Sequence, residues 1–313
     1  MKKILVTGGS GFIGSNLCEY LLSKKNYVIA LDNEFSSKKN NLASMMKNKN
    51  FKFINHNIID KINLKIDQIY NLACPASPIF YQKDPIYTAK TNFIGTLNIL
   101  ELAYKNNASL FHASTSEIYG DPLKHPQNED YLGNVNNLGI RACYDEGKRI
   151  AETLCYDFKR SKNINVNIAR IFNTYGPRMS WDDGRVVSNF IYQCLKNKNI
   201  TIYGDGKQTR SFCYIDDLVK GIYKLMNIKK KIITPLNLGN EEEIKIIDLA
   251  KIIKTLTNSK SKIFFKKLPI DDPKIRKPDI RKAKKILKWE PKVKLRDGLE
   301  KTITYYLNLF NIK

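Results

Sequence analysis

No arginine occurs in the first 140 of the 313 residues, no two of the six cysteines stand in a C-x-x-C spacing, and histidine appears only three times. Nowhere do eighteen apolar residues run together, so no segment reads as a membrane-spanning helix. Met1 and two lysines lead straight into Ile4-Leu5-Val6, without the apolar stretch and small-residue cleavage site of a secretory leader. Cys18, Cys74, Cys143, Cys155, Cys194 and Cys213 are too scattered to suggest a metal site, and a chain this long has no need of disulfide staples. The expectation is a soluble, cytoplasmic protein with reduced thiols, no bound metal and no membrane contact. His112 falls in an apolar run and His125 in a loop, neither with a partner at metal-ligand or nucleophile spacing.

What is present is enough for a full core. Hydrophobic residues make up 42%, which at this length suits one large α/β domain or two unequal ones. The formal charge of +23 would fit a nucleic-acid partner if the cations clustered, but only ten of the 53 basic residues are arginine and the lysines spread along the whole chain. No nucleic-acid partner is expected. The arginines are more informative, because a planar guanidinium makes the two-pronged contacts to phosphate or carboxylate that lysine cannot. Arg141, Arg149, Arg170, Arg178, Arg185 and Arg210 fall within the densest motifs.

Short apolar runs at Lys3 to Thr7, Tyr27 to Leu31, Phe51 to Ile54, Gln68 to Leu72, Ser109 to Ala113 and Asn165 to Ile171 read as strands. Helical stretches at Gly14 to Lys24, Asp84 to Lys105 and Cys143 to Lys162 fill the gaps, the rhythm of stacked βαβ units and a parallel sheet. Asp121 to Asn137 reads as loop, and further helices are expected at Val186 to Lys196, Asp217 to Met226 and Ile246 to Leu256.

Gly8, Gly11 and Gly14 follow the first strand and open a helix, so a tight turn and a bare helix N-terminus can receive a pyrophosphate. Asp32 ends the second strand, where a carboxylate binds both ribose hydroxyls and repels a 2′-phosphate, which favours NAD over NADP; Lys38 and Lys39 nearby soften that preference. Tyr144 and Lys148, one helical turn apart, face the same way. A neighbouring cation is expected to lower the phenol pKa and let the tyrosine act as a base toward a sugar hydroxyl. The expected fold is a Rossmann-type doubly wound parallel sheet with a smaller C-terminal α/β substrate-binding domain. Residues 1–174 are expected to form mainly the NAD-binding domain and 175–313 mainly the substrate domain, with some later segments returning to the first domain.

With Thr115 in Ser114-Thr115-Ser116-Glu117 ahead of Tyr144-x-x-x-Lys148, the sequence resembles the extended short-chain dehydrogenase/reductases. The resemblance covers nearly the whole chain. The runs Ala73-Cys74-Pro75-Ala76-Ser77-Pro78, Arg141-Ala142-Cys143-Tyr144-Asp145-Glu146-Gly147-Lys148-Arg149 and Asp183-Gly184-Arg185-Val186-Val187 are similar to the branch that decarboxylates UDP-glucuronate, and the likeness ends near Asp271-Asp272-Pro273 and Arg276. It implies an NAD-dependent conversion of UDP-glucuronate to UDP-xylose through a 4-keto sugar, with NAD recycled internally. Other NAD-retaining nucleotide-sugar 4-epimerases and 4,6-dehydratases share the first step and stay open; Ser116, where many dehydratases have aspartate, discriminates in part. A non-catalytic dinucleotide- or nucleic-acid-binding protein is the distant alternative.

The same resemblance assigns residues. Tyr144, Lys148 and Thr115 carry the oxidation, and Glu117 and Arg276 flank the substrate carboxylate. Gly8, Gly11, Phe12, Ile13, Gly14, Asp32, Asn33, Asn57, Ile58, Leu72, Ala73 and Thr91 line the NAD site. His56-Asn57 replaces the usual His-Asp that meets the adenine amino group. Pro75, Tyr81, Lys90, Asn92, Asn173, Arg185, Val187, Tyr203, Gln208 and Arg210 face the UDP-sugar. Pairing as a homodimer through the helices at about Asp84 to Lys105 and Arg141 to Lys162 is also implied. Cys74 and Cys143 neighbour the site as packing or lining residues.

Overall fold

The computed structural model describes residues 1–37, 39–229, 232, 234–268 and 275–312. Lys38 and the Asp271-Asp272-Pro273 run lie outside the described residues.

The strands are β1 (Lys3–Thr7), β2 (Tyr27–Asp32), β3 (Phe51–Asn55), β4 (Gln68–Asn71), β5 (Ser109–Thr115), β6 (Val166–Ile171), β7 (Thr174–Tyr175), β8 (Ile200–Tyr203), β9 (Thr209–Ser211), β10 (Cys213–Tyr214), β11 (Leu236–Leu238), β12 (Glu243–Lys245) and β13 (Ile263–Lys266). The helices are α1 (Phe12–Ser23), α2 (Pro78–Lys83), α3 (Pro85–Lys90), α4 (Thr96–Asn106), α5 (Ala142–Lys162), α6 (Val186–Leu195), α7 (Ile215–Met226), α8 (Ile246–Leu256), α9 (Arg281–Leu287) and α10 (Leu295–Leu309).

Seven strands form one sheet in the order β11-β6-β5-β4-β1-β2-β3, every neighbouring pair parallel. Alternation along β1 explains the two covering layers, since successive side chains leave opposite faces of a strand. Ile4 and Val6 join Val28, Ala30, Leu17, Leu21 and the α7 residues Leu218 and Ile222 on one face. Leu5 joins Ile29, Leu31, Ile69 and the α4 and α5 residues Ile99, Ala103 and Cys155 on the other. The strand order reverses between β1 and β4, where ligands of such sheets bind beyond the strands' C-terminal ends.

The helix expected over Asp84 to Lys105 is present as one rod with a defect. Asp84 caps it, accepting from the Tyr87 amide at 2.8 Å, and Pro85 takes the first helical position. Between α3 and α4 the chain widens into a π turn at Thr91–Gly95, where Thr91 and Asn92 return hydrogen bonds to the carbonyls of Tyr87 and Thr88. Three paired segments, β10–β7, β12–β9 and β13–β8, stand apart from the main sheet. They hold the later motifs, while β11 and α7 return to the sheet edge and to α1.

Candidate active site

A single cleft of about 1310 Å³ runs along the C-terminal edge of the sheet and under the later segments. It exceeds the roughly 300–1,000 Å³ of an ordinary small-molecule pocket, which leaves room for two ligands side by side. At one end β1 turns into α1. Gly8 has a φ of +68°, and a Cβ on Gly14 would lie 2.0 Å from the Gly8 carbonyl oxygen, so the turn closes only without side chains at these positions. No side chain caps the N-terminus of α1, which ends at the cleft beside Phe12 and Ile13. An uncapped helix start of this kind suits an anion.

The carboxylate of Asp32 is held at the end of β2 by the Ser10 amide at 3.1 Å, the Glu34 amide at 2.8 Å and the Ser37 hydroxyl at 3.1 Å. Asn33 donates to the Tyr87 hydroxyl at 2.6 Å, and the Phe35 ring packs on Tyr87 with centroids 4.7 Å apart. This end of the cleft therefore offers an acid, an aromatic wall and a bare helix terminus, and these features fit a dinucleotide. Leu72, Ala73 and Thr91 continue the wall toward the centre.

At the centre stands Tyr144, buried as the third residue of α5, where its amide bonds to the Arg141 carbonyl. Its ring stacks on Tyr81 with centroids 5.1 Å apart and planes within 8°. Thr115, the last residue of β5, shares a side-chain hydrogen bond with the phenol. The Lys148 ammonium sits 5.9 Å from the Tyr144 ring centroid and donates to the Ala113 carbonyl at 3.0 Å.

These positions correct one expectation. Burial drives the Tyr144 phenol well above its ordinary pKa, with the Thr115 hydrogen bond opposing, and burial also pulls Lys148 down. With Lys148 committed to a backbone carbonyl and desolvation acting on both groups, the protein alone keeps this tyrosine protonated.

Beyond Tyr144 lies a charged group. Arg276 donates to Glu117 Oε1 at 2.8 Å and Oε2 at 3.4 Å, to Ser116 Oγ at 2.9 Å and to the Gly120 carbonyl at 3.2 Å. Arg141 bonds to the same Glu117 Oε2 and stands 3.9 Å from an Asp145 oxygen. Burial would raise the Glu117 carboxyl, but Arg276 and Arg141 outweigh it and hold the group down at about 2. Burial and the Glu117 charge push Asp145 the other way, up to about 7.

The far end is polar. Arg185 donates to the Ala76 carbonyl at 3.1 Å and lies 3.7 Å from Asp183, while Gln208 donates to the Tyr203 carbonyl at 2.6 Å. Asn173, Val187, Tyr203 and Arg210 line the same stretch of wall, and Pro75 and Tyr81 border it nearer the centre.

Four residues assigned by resemblance are not brought to the cleft wall. Lys90 stands exposed on α3. Asn92 is buried against Gly147 of α5, and Ile58 packs behind the sheet edge against Gly95. Asn57 lies behind Tyr87, whose hydroxyl donates to it at 3.4 Å. For Asn92, Ile58 and Asn57 the π-turn rod and its packing claim the side chain first. Conversely, Arg141 stood out in the sequence only as one of few arginines, and Ser116 only as a departure from an aspartate; Arg141 bonds to Glu117, and Ser116 accepts from Arg276. Among the described residues no group of histidine, cysteine or acidic side chains could hold a metal, and His112 is buried beside Asn71.

The family model for GDP-mannose 4,6 dehydratase matches residues 5–302. UDP-glucuronic acid decarboxylase 1 of Danio rerio is 53% identical over 305 residues, covering 97% of this chain and 72% of the relative. UDP-glucuronic acid decarboxylase 4 of Arabidopsis thaliana is 53% identical over 297 residues, covering 95% and 67%. The chain belongs to the UDP-glucuronic acid decarboxylase family of extended short-chain dehydrogenase/reductases. Among solved structures, UDP-glucuronic acid 4-epimerase from Bacillus cereus in complex with UDP-glucuronic acid and NAD superposes with a TM-score of 0.89 at 33% identity, over 98% of this chain and 99% of that one. The chain thus shares its fold with an epimerase and its family with decarboxylases.

Proposed function

We propose that this protein converts UDP-glucuronate to UDP-xylose by NAD-dependent decarboxylation through a 4-keto intermediate. The observation that carries the reading is the side-by-side placement of a buried Thr115/Tyr144/Lys148 set and a Glu117 carboxylate clamped by Arg276, in a decarboxylase-family chain.

Tyr144 takes the proton of the sugar 4-hydroxyl, and Thr115 holds the same oxygen by hydrogen bonding. Bound NAD supplies a hydride acceptor at carbon 4 and later the donor that restores the alcohol. Lys148 would help hold the ribose of the bound dinucleotide, and its charge near the phenol would favour the phenolate. Once carbon 4 is a ketone, the carboxylate on carbon 5 is β to a carbonyl. The bond between carbon 5 and the carboxyl carbon breaks, carbon dioxide leaves, and the electron pair enters an enolate that is reprotonated at carbon 5. Arg276 orients the carboxylate before this step and Glu117 places negative charge beside it.

The glycine turn, Phe12, Ile13, Asp32 and Asn33 hold the dinucleotide, with Leu72, Ala73 and Thr91 at its nicotinamide end. Asn173, Arg185, Gln208 and Arg210 hold the UDP group, with Pro75, Tyr81, Val187 and Tyr203 around it. The division of labour falls near residue 174, with β11 and α7 returning to the dinucleotide side. A homodimer through α3, α4 and α5 is supported by Phe93, Tyr104 and Ile150, large apolar side chains left exposed on these helices; a sedimentation profile containing monomer alone would remove it. A cytoplasmic setting suits six unpaired cysteines.

The deciding experiment incubates the protein with UDP-glucuronate and NAD and follows carbon dioxide and the sugar product. Release of carbon dioxide with UDP-xylose is expected. Conversion of the substrate to UDP-galacturonate with the carboxylate retained would make the protein a 4-epimerase instead.

A further inference from the structure

We infer that Arg141 is a positioning residue for decarboxylation, fixing Glu117 from the start of α5 and adding positive charge that favours a substrate carboxylate. This rests on the function proposed above.

Arg276 is immobilised by the protein itself. Its side chain is 3% exposed, and its donors reach Ser116, Gly120 and both oxygens of Glu117. One guanidinium facing one carboxylate would leave no net charge to attract a second carboxylate, and a buried anion is costly to add to a neutral pair. Arg141 changes that balance. It lines the cleft, and its guanidinium reaches the same Glu117 oxygen that Arg276 contacts from the other side. Two guanidiniums around Glu117, with Asp145 3.9 Å from Arg141, bias the pocket toward an anionic sugar over a neutral hexose.

Position along the chain adds a second role. The Arg141 carbonyl receives the amides of both Tyr144 and Asp145, at 2.9 and 3.0 Å, so the residue that clamps Glu117 also forms the first turn that carries the base. The spacing between the oxidation centre and the carboxylate centre is thereby set within one helical turn.

The groups that face Glu117 are Arg276 from the C-terminal segment, Arg141, Asp145 and Tyr144 from the start of α5, and Tyr81 from α2. Asp145 is the only other acid among them, and burial together with the Glu117 charge holds it toward its neutral form. Removing Arg141 therefore takes away one of two cations holding Glu117 ionised, and the Glu117 pKa must rise.

The test compares wild type, Arg141→Gln and Arg141→Lys for carbon dioxide release as a function of pH, for the ratio of accumulated 4-keto acid to carbon dioxide, and for NAD binding. In the glutamine variant the acid limb of carbon dioxide release should move up by one to three pH units, the range that one close charge produces. The 4-keto acid should accumulate at least about tenfold over wild type, a change of about 1.4 kcal/mol between the two steps, while NAD affinity holds. Lysine should keep the limb within half a unit and recover part of the partition. An unmoved limb with oxidation and decarboxylation slowed equally would overturn the inference. If the glutamine variant does not fold, the lysine variant decides: unequal slowing of the two steps supports the role and equal slowing overturns it. Wild type that releases no carbon dioxide would remove the functional reading itself, whereas active wild type with indifferent variants removes only the role of Arg141.

Discussion

Tyr144 and Glu117 occupy opposite electrostatic environments within one cleft. Burial keeps the Tyr144 phenol protonated, while two guanidiniums keep Glu117 ionised against the same burial. Replacing Tyr144 with phenylalanine keeps the stacked ring on Tyr81 and removes only the proton acceptor. Turnover should fall by about 10³-fold, within the range for a lost general base, with NAD affinity by calorimetry unchanged. Glu117→Gln should slow carbon dioxide release more than ketone formation, visible as accumulating 4-keto acid. It should also cost about 3 kcal/mol in urea denaturation, because Arg276 stays buried without a full counter-charge. Equal loss in both steps would place Glu117 outside the decarboxylation. The Tyr144/Lys148 spacing was legible as one helical turn. The lysine's commitment to the Ala113 carbonyl was not, because residues 113 and 148 meet only when α5 packs on β5.

At the scale of elements, the glycine turn between β1 and α1 is tightly constrained by sterics. A methyl group on Gly14 would stand 2.0 Å from the Gly8 oxygen, a contact that the turn can relieve only by shifting the start of α1. Gly14→Ala should therefore weaken NAD binding by at least about tenfold, or about 1.4 kcal/mol, and full affinity in a titration would show that α1 does not hold the pyrophosphate. The main strands and helices were legible from apolar periodicity, because each is long enough to show a repeat. The short strands β7 to β13 were not, since runs of two to four residues carry no period. The π turn was not legible, because Thr91 to Gly95 continues the helical pattern; in the fold Gly95 packs against Ile58 there.

For the whole molecule, acidity acts through two carboxyl groups of opposite sign. Glu117 is depressed to about 2, so its contribution to stability is present above its unfolded value of 4.5 and is lost as the pH falls toward 2. Asp145 is raised to about 7 from an unfolded value of 3.8, so its penalty builds as the pH rises from about 4 and is complete above about 7. Asp145→Asn should accordingly be more stable than wild type at pH 8, by on the order of 2 kcal/mol, and the difference should shrink toward pH 4. Denaturation curves at both pH values check this, and a difference independent of pH would refute it.

The sequence by itself determined the parallel sheet, the dinucleotide turn and the pairing of Tyr144 with Lys148, because strand alternation, helix period and a glycine turn are all local in the chain. Only the tertiary structure decided what surrounds that pair. It drew Arg141 and Arg276 onto Glu117 across separations of 24 and 159 residues and held Asn92 and Lys90 away from the cleft. Charges so distant in sequence set one another's ionisation only after folding has removed the water between them.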